Sequence, residues 1–460
     1  MKIIIVGAGK VGSLMAASLR KEGHDIVVID KSPAVIENIS GELDVAGVVG
    51  NGMVQDVQTE AEVHTSDLLI ATTQNDETNL LCCVVAKKLG CKHTVARIRN
   101  PEYDHQTDFW QKNLGISLII NPEKAAAREI SRMLQLPSFL RRESFAGGRI
   151  SLVEFKLPEG SVLDNKSLEN ISGLIQSKAL ICTVDRDGEI IIPSGKSVLK
   201  AGDKITATAS SSELAKLIGS IGLAKMRIKD VMIVGGGRLA VYLSDFLIAA
   251  HIDVKIIEEN EERCLHLADR LPKATIIKGD GTDQKLLLDE GIENMDAVVT
   301  LTGIDEENLL VSMFANSLKV PKTITKINRV EYSGVLAGVG VDTIVSPKVL
   351  TSDVIIRYVR AVGATGSGSM HLAEQTGTLE TLYRIVDGKA EALGFTVPSD
   401  AKYAGKTLAE LEFKPSIIVA GIIHNGNVII PKGSDVMSPG DSVVVITAGK
   451  TLSSLSEILG

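Results

Sequence analysis

Met1–Lys31 reads MKIIIVGAGKVGSLMAASLRKEGHDIVVIDK. Lys2 to Val6 is a β-branched apolar run of strand length. Gly7, Gly9 and Gly12 then give G-x-G-x-x-G, with Ala8, Lys10 and Val11 between them. A helical pattern follows, with Val11, Leu14, Met15, Ser18 and Leu19 on one side. Ile26 to Ile29 is a second apolar run, and it ends on Asp30. Strand, glycine turn, helix, strand and acid form the context that gives this motif its meaning. Gly7 permits a tight turn, Gly9 lets the backbone approach a diphosphate, and Gly12 lets helix and strand pack closely. Free amides at the helix start and the helix dipole favour phosphate. Asp30 has the oxygens to accept bonds from both hydroxyls of a ribose, and its charge repels a 2′-phosphate. A glycine turn that binds nothing is the bland alternative, and the acid at this spacing argues against it.

A chain of 460 residues is too long for one core, so two to four domains are expected. It is 44% hydrophobic and 23% charged, the composition of a globular, soluble protein. Net charge is −8 and no Lys/Arg block stands out, which argues against nucleic acid as the main partner. The five cysteines form no C-x-x-C and no Cys/His cluster, as expected of a reduced cytosolic protein. Cys82 and Cys83 fall in an apolar helical run and read as buried small residues. The chain opens on a strand, so no signal peptide is expected. No apolar run nears the ~20 residues of a membrane helix.

The alternation continues beyond Asp30. Ser32-Pro33 opens a helix to about Ser40. Strands are expected at Val45–Val49, Leu68–Thr72, His93–Ile98 and Ser117–Ile120, with helices at Leu80–Leu89 and from Pro122 to about Leu134. Strands alternating with helices give a parallel sheet covered on both faces. From Ile150 the character changes. Ser151–Leu157 reads as strand, and Leu180–Val184 and Glu189–Ile192 flank Asp187-Gly188, a hairpin signal. A small α+β unit ends near Ser210.

Then the chain starts again. Asp230–Ala240 repeats the opening, with Gly235, Gly236, Gly237, Arg238 and Leu239 in the loop and Glu258 where Asp30 stood. Gly279-Asp280-Gly281 answers Gly50-Asn51-Gly52, and Asp305–Asn308 answers Asp76–Asn79. Lys326-Ile327-Asn328 answers Arg97-Ile98-Arg99. Gly363–Ser369 reads as a flexible linker. After it, Asn425-Gly426 answers Asp187-Gly188. The fold class is therefore α/β, a tandem duplication of a Rossmann-like domain followed by a small α+β domain. The expected boundaries are 1–135, 136–225, 226–362 and 363–460.

That order, with ATTQNDETN at 71–79 and ARIRNPEY at 96–103, resembles the TrkA family of tandem RCK regulators of potassium uptake. The resemblance spans the whole chain. It implies a nucleotide-binding regulatory subunit, cytoplasmic and peripheral on the inner face of the membrane, with no transport path of its own. It implies a ring of RCK modules, a homo-oligomer of dimer or tetramer size, docked on an integral membrane potassium-translocating subunit of the Trk type. The implied ligands are NAD(H) and ATP or ADP. Carried over, the first site uses Gly7, Ala8, Gly9, Lys10, Val11, Asp30, Thr73, Gln74 and Arg97, with Arg99 as a phosphate partner. The second uses Gly235, Gly236, Gly237, Arg238, Leu239 and Glu258, with Lys326 in place of Arg97.

The alternative is an NAD-dependent oxidoreductase, which needs a proton-transfer group beside the nicotinamide. The eight histidines are scattered outside any catalytic signature, and the small domains are too short for a substrate site. No metal-ligand spacing occurs. A duplicated binding domain without a catalytic group reads as a sensor. Arg97 and Arg99, two apart on a strand, should face one way and hold a phosphate chain. The alternative is pairing with Asp76 or Glu77. Asp76–Asn79 reads equally as a binding element or as a helix cap with acids in its first turn. The second site has Lys326 and Asn328 instead of two guanidiniums, and an acidic rim from Glu258 to Glu262. The first site should therefore discriminate by phosphate count, and the second should bind NAD or AMP-like ligands or stay empty. The apolar face of the helix after Pro122 (Ala125, Ala126, Ile130, Met133 and Leu134) is expected to pack on a neighbouring module.

Overall fold

The computed structural model describes residues 1–135, 137, 139–171, 174–175, 177–223, 227–329, 343–365, 379–386, 388–449 and 452–460. Both Rossmann halves are present. In the first, β1 (Lys2–Val6), β2 (Asp25–Asp30), β3 (Ala46–Val49), β4 (Leu68–Ala71), β5 (His93–Arg97) and β6 (Leu118–Ile120) pair in the order β3-β2-β1-β4-β5-β6. Every pairing is parallel. Helices cover both faces, so the central strands carry apolar residues on consecutive positions. Ile3, Ile4 and Ile5 are fully buried, as are Leu68, Leu69 and Ile70. Chain order reverses between β1 and β4, which leaves a crevice at the strand ends.

The first small domain follows. Its strands are β7 (Arg141–Phe145), β8 (Ile150–Lys156), β9 (Ala179–Arg186), β10 (Glu189–Ile191) and β11 (Lys204–Ser210), ordered β10-β9-β11-β8-β7 and antiparallel. The hairpin turns on Asp187 (φ 53°) and Gly188 (φ 85°), the doubly left-handed backbone that a two-residue turn requires. β7 has no counterpart in the sequence reading. Its charged residues, Arg141, Arg142 and Glu143, hide an edge strand from a hydrophobic pattern.

The second half repeats the first. Strands β12 (Asp230–Val234), β13 (Asp253–Glu258), β14 (Thr275–Lys278), β15 (Ala297–Thr300), β16 (Lys322–Lys326) and β17 (Thr343–Val345) take the order β14-β13-β12-β15-β16-β17, again all parallel. Strands β18 (Leu379–Ile385), β19 (Ala390–Thr396), β20 (Ile417–His424), β21 (Asn427–Ile429) and β22 (Ser442–Ala448) repeat the small sheet as β18-β19-β22-β20-β21. Asn425 (φ 47°) and Gly426 (φ 81°) rebuild the same hairpin turn.

Two compact units result. One holds 1–131 with 229–356, so it contains both Rossmann halves. The other holds 132–228 with 357–460, the two small domains. The chain thus groups like with like, and two of the three boundaries fall inside matched helices, Pro122–Gln135 and Pro347–Thr365. Within the second unit a core of Phe145, Ile150, Leu152 and Cys182 joins Ile385, Ala392, Ala420 and Ile446. Thr208 also donates to the carbonyl of Ala420 at 2.6 Å.

Two expectations need correction. The helix expected from Leu80 starts at Asp76, because Asn75 caps it by accepting from the Thr78 amide at 2.7 Å. Asp76 and Glu77 are thus the acids of its first turn. Gly363 is not linker but the last turn of the helix Pro347–Thr365; residues 366–369 of the expected linker lie outside the described residues. The helix after Pro122 runs to Gln135, and Ala126, Ala127, Ile130, Met133 and Leu134 are already buried in the single chain. Its Arg128 guanidinium lies 5.9 Å from the Phe246 ring of the second half. The helix thus meets the chain's second module.

Candidate nucleotide site

A cavity of about 420 Å³ opens at the reversal between β1 and β4. Gly7, Gly9, Asp30, Thr73 and Gln74 line it, as the sequence predicts. Gly7 has φ +93°, and a Cβ there would meet the Thr73 amide nitrogen at 2.9 Å. A Cβ on Gly12 would lie 1.9 Å from the Gly7 carbonyl oxygen, so a larger residue there would force the helix off the turn. Around Gly9 a Cβ would meet nothing within 4 Å, which leaves its backbone open to a ligand. Val11 is buried in the core and offers only its amide, while Lys10 is exposed beside the loop. Gly50, Asn51 and Gly52 also line the cavity. They are not among the residues expected from the sequence, although their repetition as Gly279-Asp280-Gly281 is a signal for them.

Asp30 stands at the end of β2 with both oxygens engaged. One accepts from the Ala8 amide at 2.8 Å and the other from Ser32 at 3.0 Å. The carboxylate braces the glycine loop, and each oxygen keeps capacity for a ribose hydroxyl. Glu258 repeats this in the second half, accepting from Gly236 at 2.7 Å and Asn260 at 2.9 Å.

The opposite wall is the loop Thr73-Gln74-Asn75. Asn79, fully buried, holds it: its Oδ1 accepts from the Thr73 amide at 2.8 Å, and its Nδ2 donates to the Arg97 carbonyl at 2.8 Å. Asn308 makes the same pair of bonds to Thr302 and Lys326. Asp76 Oδ2 accepts from the amides of Arg99 and Asn100 at 2.9 and 2.8 Å. Asp305 does the same for Asn328 and Arg329. Within Asp76–Asn79, Asp76 and Asn79 act as scaffold, while Thr78 lines the cavity.

Arg97 and Arg99 sit behind that loop rather than on the cavity wall. β5 ends at Arg97, so Arg99 lies beyond the strand and the alternation argument does not govern it. Both guanidiniums nonetheless reach the same loop: Arg97 donates to the Thr73 carbonyl and Arg99 to that of Gln74 at 2.8 Å. Neither pairs with Asp76 or Glu77 side chains; Glu77 accepts from the Tyr103 hydroxyl. The acid beside them is Glu123, 3.6 Å from Arg99. Burial, aided by neighbouring Arg99, pulls Arg97 down to about 10. Burial pushes the Glu123 carboxyl up against the opposing pull of Arg99. The Nε atoms of both arginines, which a phosphate could accept from, and Oε2 of Glu123, which could accept from a water, are buried without hydrogen-bond partners.

The second half differs in its charged groups. Lys326 donates to the Leu301 carbonyl at 3.1 Å, and burial lowers its ammonium below the usual lysine range. Asn328 donates its side-chain amide to Asp305. Arg263 Nε donates to the Gly236 carbonyl at 2.8 Å, and a Cβ on Gly236 would meet Leu267 at 2.5 Å. Gly237 has open space, Arg238 is exposed beside it, and Leu239 is buried. Among the described residues no group of three or more His, Cys, Asp or Glu is placed to hold a metal.

Two outcomes follow from this geometry. Asn79→Ala strands the Thr73 amide and the Arg97 carbonyl and should cost about 1–3 kcal/mol in urea unfolding. A loss under about 0.5 kcal/mol would show that the loop does not depend on Asn79. Lys326→Met should raise the melting temperature by a few degrees at pH 7. A lysine whose folded pKa is depressed penalises the fold while it is charged in both states. That penalty fades as pH rises through its folded pKa towards its unfolded value, so the mutant's advantage should shrink there. An advantage that grows with pH contradicts the assignment.

Comparison with known proteins agrees with this architecture. The TrkA-N domain model matches residues 3–122 and 231–347, and the TrkA-C domain model matches 152–222 and 393–460. The chain is 30% identical to Trk system potassium uptake protein TrkA homolog 2 of Methanosarcina mazei, over the full length of both. It is 31% identical to the TrkA homolog of Archaeoglobus fulgidus, again over both full lengths. It is 30% identical to TrkA of Haemophilus influenzae, covering 98% of this chain and 96% of that one. Among solved structures, the GsuK RCK domain superposes with a TM-score of 0.65 at 18% identity, covering 97% of this chain and 92% of that one. The GsuK channel bound to NAD gives 0.64 at 18% identity, covering 97% and 77%. These two share the fold. On the domain matches and the full-length relatives, the chain belongs to the family of Trk system potassium uptake proteins TrkA.

Proposed function

We propose that the chain is the nucleotide-binding regulatory subunit of a Trk-type potassium uptake system. The observation that carries this is the cavity over the first glycine loop, braced by Asp30 on one side and by the Thr73–Gln74 loop on the other. Its ligands are NAD(H) and ATP or ADP. The diphosphate lies on the amides from Gly9 onward, one ribose meets Asp30, and further phosphates approach the Arg97–Arg99 end. The boundaries 1–135, 136–225, 226–362 and 363–460 delimit its two modules. No helix among the described residues is long and apolar enough to cross a membrane, which fits a peripheral subunit on the cytoplasmic face, docked on an integral potassium-translocating partner.

A regulator is favoured over an oxidoreductase by the cavity wall. No His or Tyr lines it, and its one lysine, Lys31, is an exposed residue beside Asp30, on the ribose side in this reading rather than at a nicotinamide. Binding does its work instead by preferring one conformation. A ligand with equal affinity for both states shifts nothing, and about 1–3 kcal/mol of difference suffices for regulation.

The test has three arms on the full chain. A thermal-shift panel of ATP, ADP, NAD and NADH should show stabilisation, about 2.7 kcal/mol at a hundredfold excess over Kd. Potassium flux with the membrane partner reconstituted should differ between nucleotides. NADH with a panel of ketones and keto acids should show no turnover. Binding without any nucleotide effect on flux refutes regulation, and turnover abolished by Asp30→Ala establishes the oxidoreductase instead. The subunit is further proposed to be a homo-oligomer, a dimer or a tetramer. Light scattering at micromolar concentration should give a multiple of the chain mass, and a clean monomer would refute it.

A further inference from the structure

The helix Arg238–Ala249 starts at the second glycine loop, yet its flank touches the first half behind the cavity's far wall. Tyr242 and Phe246, four residues apart, share that flank. Tyr242 is 5% exposed. Its hydroxyl accepts from Asn121 Nδ2 at 2.9 Å and donates to the Arg99 carbonyl at 3.4 Å. Asn121 is fixed in turn, because its Oδ1 accepts from the Lys124 amide at 2.9 Å. Burial pushes the Tyr242 phenol up to about 12, so it remains a protonated donor at neutral pH.

The matched place in the other half is built differently. The residue answering Tyr242 is Leu14, which has no hydroxyl. The carbonyl answering that of Arg99 belongs to Asn328, and it accepts from Lys348 of its own half at 2.6 Å. The second half therefore holds the arginine behind the first site, whereas the matched carbonyl of Asn328 is held from within its own half.

We propose that Tyr242 is a positioning residue through which the second Rossmann half sets Arg99 at the polyphosphate end of the first site. This rests on the nucleotide-binding reading given above. Arg99 is held at four points: its amide by Asp76, its carbonyl by Tyr242, and its guanidinium by the Gln74 carbonyl and by Glu123. Three of these come from the first half. Tyr242 alone ties the arginine to the helix whose first turn would hold a ligand of the second loop. Loss of the hydroxyl leaves the arginine in place but loosens its backbone. That should matter for ligands whose outer phosphates reach it and not for AMP.

The experiment is a double-mutant cycle on the full chain, with ATP and AMP affinities measured by calorimetry for wild type, Tyr242→Phe, Arg99→Ala and the pair. Tyr242→Phe keeps the ring and removes only the hydroxyl. It should weaken ATP about fivefold or more, the scale of one hydrogen bond, and leave AMP within about twofold. In the Arg99→Ala background it should add nothing, because the tyrosine acts through the arginine. Equal losses for ATP and AMP, a fully additive pair, or an unchanged ATP-to-AMP ratio would overturn the proposal. A wild-type chain that binds AMP and ATP alike keeps the nucleotide site and also overturns it. One that binds neither removes the site itself.

Discussion

The close backbone crossing at the first glycine loop is what the site depends on. Strand β1, the loop after β4 and the first helix meet within van der Waals contact of main-chain atoms. A side chain at Gly7 would strike the Thr72–Thr73 backbone, and one at Gly12 would strike the Gly7 carbonyl. In the first half the absence of a Cβ at both positions lets three backbones come this close. That approach places the helix amides at the mouth of the crevice, where β2 delivers Asp30. The second half repeats the left-handed turn at Gly235, whose Cβ would meet the Leu301 backbone at 2.9 Å. There Ala240 stands in the place of Gly12, so the helix tolerates one methyl at the contact.

Around this crossing, the polar residues divide into two groups by what they hold. Asn79 and Asn308 tie the loop after the fourth strand of each sheet to the fifth. Asp76 and Asp305 each take two amides from the turn beyond that fifth strand. These groups are buried, and the backbone amides and carbonyls they satisfy would otherwise be stranded. They are the same in both halves because the fold needs them in both. The long side chains beyond them also donate to backbone carbonyls, Arg97 to Thr73, Arg99 to Gln74 and Lys326 to Leu301, yet these are the positions that differ: Arg97 and Arg99 in one half, Lys326 and the uncharged Asn328 in the other. Duplication kept the scaffold and changed the charges.

The fold was legible because its signals are local. Glycine spacing, apolar strand runs and the Asp-Gly and Asn-Gly turns are written within a few residues of where they act. The site was half legible. Gly7, Gly9, Asp30, Thr73 and Gln74 line the cavity as their motif implies. Arg99 was assigned a direction from strand alternation, yet the strand had ended two residues earlier. Its guanidinium is aimed instead by Gln74 and Glu123, which lie 25 and 24 positions away in sequence. The pairing of the two Rossmann halves was not legible. Tyr242 meets Asn121 across 121 residues, and an isolated tyrosine on an amphipathic helix carries no mark of such a contact.

The asymmetry between halves has a physical consequence for how a duplicated sensor divides its work. Two identical sites would titrate together and report one ligand. Here the first loop faces an open cavity with two guanidiniums behind its far wall. At the second loop the Gly236 carbonyl already accepts from Arg263, and Leu267 packs against Gly236. A ligand there must compete with or rearrange a side chain that is already satisfied, which lowers its net gain. The helix that starts at the second loop is also the one whose flank bears on Arg99 and Asn121. The open cavity thus lies in one half, while the other supplies a packed element that holds the Arg99 backbone.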